Sequence, residues 1–356
     1  MLSLFKRVIA LGIVAAIIGG CAPSVPPAKH HVNIRGLYLT GYSVGNQKRF
    51  DDTIRFMKRS GLNAMVIDAK DDTGKISWQT DIPLAAEIDA NSNKIKNIEE
   101  RVKTLLSQGI YPIARIVVFA DPLLGSKKPD WSIHTKDGAQ FRDMRNIAWP
   151  SPHRQEVWQY NVEVAERAAQ AGFKEVQFDY VRFPETRIDG VNWNAPLNPG
   201  DAIEGFLRYA KQRLEIRGVF VSADIFGQTS SKDKINNGYS ILGQNYKNIA
   251  EIVDYVYPMV YPSHYAFGSY GVKDPNQNPG LIVRSALLDA RKLTPQLDVT
   301  KHRPWIQDFN LGKKYTARDV EDQIKGLNQA GIHQWVLWNA RNRYTPKVNY
   351  NIGLNK

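Results

Sequence analysis

Five glycines set the plan of this chain. Gly61, Gly109, Gly172, Gly218 and Gly331 each stand between an amphipathic helical stretch and an apolar run that begins at Leu62, Ile110, Phe173, Val219 and Ile332 respectively. Glycine tolerates the left-handed backbone that ends a helix, so helix–glycine–strand is the junction of a repeating βα unit. Counting apolar runs gives eight strands: 34–42, 62–70, 110–119, 173–181, 219–226, 253–260, 304–309 and 332–338, each followed by a helix or a helix-like run. Sustained alternation forces the strands parallel, and eight such units close into a barrel. An open doubly wound sheet would carry a glycine-rich phosphate turn after its first strand. Here the first strand ends Thr40-Gly41-Tyr42-Ser43-Val44-Gly45, which is not that turn. The sequence thus predicts an α/β protein, a single-domain (β/α)8 TIM barrel over residues 34–345 with a tail at 346–356.

The long connections follow strands, not helices. Residues 71–94, 120–152, 182–201 and 261–279 are irregular and contain Trp78, Trp131, Trp149 and Trp193. Such loops ring the catalytic face of a barrel, where aromatic rings serve as platforms for sugars or simply pack their own loop.

The chain opens with Lys6 and Arg7, an apolar run from Val8 to Ile18, then Gly19-Gly20-Cys21. That run is short of the roughly 20 residues of a spanning helix. It reads as a signal peptide over 1–20 and resembles a bacterial lipobox, which implies lipidation of Cys21, the only cysteine, and delivery to the outer membrane. Residues 21–33 hold three prolines and no apolar periodicity, and read as a tether. The formal charge of +12 falls to +10 without Lys6 and Arg7. A basic surface suits acidic glycans or phospholipid head groups; dispersed Lys and Arg on a secreted chain argue against nucleic acid.

The strand ends carry the chemistry. Alternation puts Gln177, Asp179 and Val181 on one face and Val176, Phe178 and Tyr180 on the other; the helix-facing side must be apolar, so Asp179 points into the barrel. Ser222 and Asp224 follow the same rule on the next strand. Two carboxyl groups at one mouth suffice for glycoside hydrolysis, one donating a proton and the other attacking the anomeric carbon or activating water. Strand-end aspartates also cap helices, pair with arginine or bind metal. Asp68 and Lys70 share one parity with Val66, and Asp71 starts the loop. Arg115, mid-strand on the inward face, must be paired, with Asp68 or Asp179 as its partner. Arg182 is expected to swing into the mouth because Pro184 ends the strand. Tyr261, His264, Gln307, Trp338 and Asn339 suit a ligand rich in hydroxyls. The seven histidines show no HxH or HExxH spacing, so no metal or other cofactor is expected.

The segments Val66–Gly74, Phe178–Pro184, Ser222–Gly227, Pro258–Tyr265 and Pro304–Phe309 resemble the motifs of a family of glycosyl-hydrolase barrels long catalogued as a domain of unknown function. The resemblance covers Ile34 to Tyr344. It implies a barrel akin to the α-amylase-like glycosidases, with Asp179 as nucleophile. Relatives commonly place Glu where Asp224 stands, which leaves the proton donor between Asp224 and Glu185. The expected function is hydrolysis of a cell-envelope or extracellular polysaccharide that is acidic or neutral, with retention if the two carboxyls stand about 5 Å apart and inversion if they stand about 6.5–9.5 Å apart; the alternative is a non-catalytic glycan-binding envelope lipoprotein.

Overall fold

A computed structural model describes residues 28–185, 191–192, 198–231 and 242–352. Cys21, the signal segment and Trp193 lie outside them. Eight strands form a closed parallel barrel: β1 (Arg35–Leu39), β2 (Ala64–Lys70), β3 (Tyr111–Val117), β4 (Glu175–Asp179), β5 (Phe220–Phe226), β6 (Tyr255–Met259), β7 (Trp305–Gln307) and β8 (Trp335–Trp338). β1 pairs β8 as well as β2, which closes the ring. The principal helices are α1 (Gln47–Ser60), α2 (Ile98–Ser107), α3 (Gln155–Gln170), α4 (Pro199–Glu215), α5 (Tyr246–Ile252), α6 (Pro279–Leu293) and α7 (Ala317–Gln329).

The local chemistry explains the boundaries. Asn46, Asn97, Asn198 and Asn245 each accept a backbone N–H at the start of α1, α2, α4 and α5, and Thr316 with Asp319 forms a capping box on α7. All five junction glycines have positive φ, between 68° and 100°, as a helix-ending left-handed residue requires. The strands are shorter than the apolar runs because residues such as Leu62, Phe173 and Ile332 pack in the core before ladder pairing begins. One expected unit is absent: among the described residues no helix follows β8. Instead Tyr344 and, in the tail, Val348, Tyr350 and Ile352 pack on the core, and Phe56 of α1 stacks against Tyr344.

Strand alternation sorts the core into two layers. Leu37, Ile67, Ile116, Val176, Phe178 and Ala223 join the apolar layer shared with the helices. Tyr38, Val66, Ile113, Tyr257, Trp305 and Val336 form a second cluster in the lumen. Polar groups on the lumen parity are buried beside them. Glu175 at the start of β4 pairs with Arg303 at 2.5 Å and accepts the Tyr257 hydroxyl at 2.8 Å. Arg303 lies 3.2 Å from the centre of the Tyr255 ring and donates to Gln334 Oε1 at 3.0 Å. Both ions are sealed from water, so the charge of each depends on the other. Burial pushes the Glu175 carboxyl up, and Arg303 draws it back.

Glu175→Ala is therefore expected to destabilise the barrel by about 3–5 kcal/mol, because it strands a buried guanidinium, whereas Glu175→Leu combined with Arg303→Met costs far less. Urea midpoints of the two variants check this; equal losses would refute the pair's role.

Candidate active site

β3, β4 and β5 carry their charged residues to the same end of the barrel. The register sets Asp68 beside Arg115, Arg115 beside Gln177, and Val117 beside Asp179, so Asp179 stands one step nearer the mouth than Arg115. From there the Arg115 guanidinium reaches in two directions. Its Nε and Nη2 donate to Asp179 Oδ2 at 2.9 and 2.5 Å, and its Nη1 donates to Asp68 Oδ1 at 2.6 Å. Tyr38 donates its hydroxyl to the other Asp68 oxygen at 2.5 Å. The guanidinium carbon lies 5.1 and 5.6 Å from the centres of the Trp338 and Tyr38 rings, which stack on each other.

β4 stops abruptly after Asp179. Tyr180 adopts φ +50°, a left-handed conformation uncommon for a bulky residue, and its N–H donates to Asp179 Oδ1 at 2.6 Å. Both oxygens of Asp179 thus have fixed donors, one from each side of the carboxylate. Asp224, on β5, has a different environment. It is 1% exposed, and among the described residues its one side-chain donor is Trp305 Nε1 at 2.7 Å. Burial, reinforced by the charge of Asp179, drives its carboxyl well above the ordinary range; the Trp305 hydrogen bond and Arg115 only partly oppose this. Burial also pushes Asp68 up to about 6, against the pull of Arg115 and Tyr38. For Arg115, burial alone would lower the pKa, but Asp179 and Asp68 drive it well above the usual value, so it stays charged.

Asp179 and Asp224 open onto a cleft of about 520 Å³. Arg115, Arg182, Glu185, Tyr261, His264 and Trp338 line it with them. Tyr261 is buried with its phenol pushed up by burial and by both carboxylates. His264 is exposed, and partial desolvation lowers its pKa. Gln228 holds its backbone carbonyl at 2.7 Å, and Tyr261 and Phe309 flank its ring edge-on.

Other residues singled out in the sequence lie elsewhere. Asp68 is behind Arg115 and does not line the cleft. Lys70 was placed by alternation on the face of Asp68, but the ladder shifts register between them. Its ammonium instead pairs with Asp121 at 2.5 Å, fully buried, and lies 5.4 Å from the centre of the Tyr160 ring of α3. Asp71 binds Lys94 and receives the Thr73 hydroxyl at 2.6 Å, fixing its own loop. Gln307 accepts from Ser263 Oγ at 2.9 Å and donates to the Phe309 carbonyl at 2.9 Å, while Asn339 donates to the carbonyls of Asp308 and Arg343. These two fasten the turns after β6, β7 and β8. Among the loop tryptophans, Trp149 is buried under Arg182, Trp78 stacks on Phe173, and Trp131 is partly covered by Lys128.

Three site residues escaped the sequence reading: Tyr38, Tyr180 and Trp305. The signal for Trp305 was present, because it shares the inward parity of Gln307. Tyr38 likewise alternates inward on β1. Nothing in the sequence announces the positive φ of Tyr180.

Comparison with known proteins adds the following. A family model described as "Putative glycosyl hydrolase domain" matches residues 36–344. A hypothetical protein from Ruminiclostridium thermocellum ATCC 27405 is 37% identical, over 53% of this chain and 97% of its own, with a TM-score of 0.50. The glycoside hydrolase domain of PgaB (BpsB) from Bordetella bronchiseptica is 12% identical over 86% of this chain and 94% of its own, with a TM-score of 0.66. The Bacillus cereus spore cortex-lytic enzyme SleL is 13% identical over 89% of this chain and 73% of its own, with a TM-score of 0.51. At these last two identities the likeness is one of fold. Comparison with curated protein sequences gives no match.

Removing the Tyr38 hydroxyl tests the charge network. The hydrogen bond favours ionised Asp68, so in Tyr38→Phe this carboxyl is expected to titrate above its present value of about 6. Because the folded pKa lies above the unfolded one, the native state holds an extra proton, and stability falls as pH rises through that window. The variant extends the fall to higher pH. Carbon-13 titration of the aspartate carboxyls reads the effect; an unmoved Asp68 would contradict it.

Proposed function

Since the chain belongs to the glycosyl hydrolase family whose model spans its barrel, we propose that it hydrolyses a cell-envelope or extracellular polysaccharide by a retaining route. Asp179 is the nucleophile and Asp224 the general acid/base. The observation that carries this reading is the contrast between the two carboxyl groups. Asp179 has Arg115 across one oxygen and a backbone N–H on the other, so the carboxylate is held in one orientation by charge-assisted hydrogen bonds. Asp224 is desolvated and faces the charge of Asp179, conditions that favour its protonated form. Environments that separate two carboxyl groups in this way assign acid and nucleophile in glycosidases. Glu185, with its side chain 66% exposed, stands at the rim and not beside Asp179 in the depth of the cleft as Asp224 does.

In the first step Asp179 attacks the anomeric carbon as the glycosidic oxygen takes the Asp224 proton and leaves; the product is a glycosyl ester on Asp179. Asp224, now ionised, takes a proton from water, whose oxygen displaces Asp179 and restores both carboxyls. Arg115 holds Asp179 in place through the cycle, and Trp305 fixes the Asp224 oxygen that it binds. The rings of Tyr261, Trp338 and Tyr180 at the cleft supply apolar faces for a sugar.

The sequence supports a second element of the proposal: after cleavage Cys21 carries a lipid that anchors the domain, by way of the tether, to the outer membrane. Among the described residues no helix is long and apolar enough to cross a membrane. Labelled palmitate is expected to enter the wild-type chain and to be absent from Cys21→Ser; label in the variant would sink the anchor.

Reducing-end release from a panel of envelope polysaccharides tests the chemistry. Asp224→Asn is expected to lower kcat by about 10²–10⁴-fold, and Asp179→Asn to abolish turnover with the fold intact. Since the acid must be protonated, activity falls as pH rises through the raised Asp224 pKa. Trp305→Phe removes a donor that favours the anion and moves this alkaline limb to higher pH. Full turnover in Asp179→Asn would refute the assignment; binding without turnover by the wild type would identify a glycan-binding platform instead.

A further inference from the structure

Arg182 is built into the cleft in a way that the two-carboxylate mechanism does not use. Its guanidinium is buried and packed among three rings, 4.7 Å from the centre of Phe226, 5.1 Å from Trp149 and 5.2 Å from Tyr180. These rings fix the plane of the guanidinium, and they desolvate it. One terminal nitrogen, Nη1, donates to the Phe183 carbonyl at 2.9 Å. The other, Nη2, has one carboxylate partner among the described residues, Glu185, at 3.4 Å. That contact is longer than a well-formed charge-assisted hydrogen bond, which runs about 2.7–2.9 Å. The Glu185 side chain is itself 66% exposed, whereas that of Arg182 is 8% exposed. A rigid, desolvated guanidinium at the wall of a cleft is thus met by a solvated, loosely held carboxylate from the rim.

Burial lowers the Arg182 pKa, and Arg145 adds to this, while Glu185, Tyr180 and Asp179 counteract it. A second carboxylate at Nη2 in better geometry would replace the first without altering the charge balance of the cleft. The basic character of the chain, +10 by formal charge without Lys6 and Arg7, favours the approach of polyanions.

We propose that Arg182 is the recognition residue for a carboxylate borne by the sugar, and that Glu185 occupies that position in the free protein until the substrate's carboxylate displaces it. This rests on the glycoside hydrolase reading and adds the chemical class of the substrate, an acidic saccharide. Carboxylate is chosen over other anions because Glu185 shows which group the position accepts. Arg182 binds substrate away from the bond that breaks, and so acts on specificity, not on bond cleavage.

The test uses the full mature chain and matched glycan pairs: uronate-containing oligosaccharides, and the same oligosaccharides with their carboxyl groups reduced to primary alcohols. Calorimetric titration is expected to show roughly tenfold or tighter binding of the carboxylated member by the wild type. Arg182→Gln loses that preference. Glu185→Gln, a change on an exposed side chain, strengthens it by removing the internal competitor, and carries the test even if Arg182→Gln does not fold. Equal binding of both members by the wild type, a preference that survives in Arg182→Gln, or weaker carboxylate binding in Glu185→Gln would each overturn the inference while leaving the hydrolase reading intact. If the wild type binds and cleaves no glycan of either series, the hydrolase reading itself falls, and this inference with it.

Discussion

Everything at the mouth of this barrel is organised by one guanidinium. Arg115 is buried and would be intolerable there alone; Asp68 on one side and Asp179 on the other make it stable, and the rings of Tyr38 and Trp338 pack beside it. The contact fixes three strands relative to one another, because β2, β3 and β4 each contribute one member. It also ranks the carboxyl groups. Asp68 and Asp179 share a cation, whereas Asp224 has no ion-pair partner among the described residues; its burial and the charge of Asp179 prevail over the pull of Trp305 and Arg115.

Below this network a second one repeats the device. Arg303 and Glu175 occupy the lumen with Tyr257 and Gln334, and Arg303 Nη2 also takes the carbonyl of Val32 from the entering chain at 2.7 Å. Each network joins strands distant in sequence through buried charge, which demands exact partners where apolar packing tolerates substitution. The lower one ties β4 to the segment entering β7; the upper one then places Asp179 at the other end of the same strand.

The sequence exposed those features that obey a period. Helix-ending glycines and apolar runs gave eight parallel strands, and period-two alternation set Asp179, Asp224 and Arg115 inward, where they are found. What broke a period was hidden. The register shift after Asp68 turned Lys70 from the lumen to Asp121 and Tyr160, an event that depends on ladder pairing with β3 and leaves no mark in β2 itself. Asp71, Gln307 and Asn339 stand at strand ends as expected, but loop hydrogen bonds take up their side chains, and composition does not distinguish a residue that fixes a turn from one that meets a ligand. The missing helix after β8 has a similar cause: Tyr344 and a tail with Val348 and Tyr350 cover the same apolar surface without helical periodicity.

The turn at Tyr180 joins these threads. A left-handed conformation at a bulky residue costs on the order of 1–3 kcal/mol and persists only where surrounding contacts compel it. Here the contacts come from both sides. The Tyr180 N–H is bound to Asp179, already held by Arg115, and the Tyr180 ring packs beside Trp149 and the guanidinium of Arg182, which also touch each other. The φ of Tyr180 leaves this amide where the Asp179–Tyr180 peptide plane puts it and redirects the side chain and the chain beyond. The strain therefore links the two arginines: Arg115 fixes the carboxylate that captures the turn, and the turn delivers the ring that orients Arg182. A single turn of backbone thus couples the site of bond cleavage to the wall of the cleft that faces the rest of the ligand.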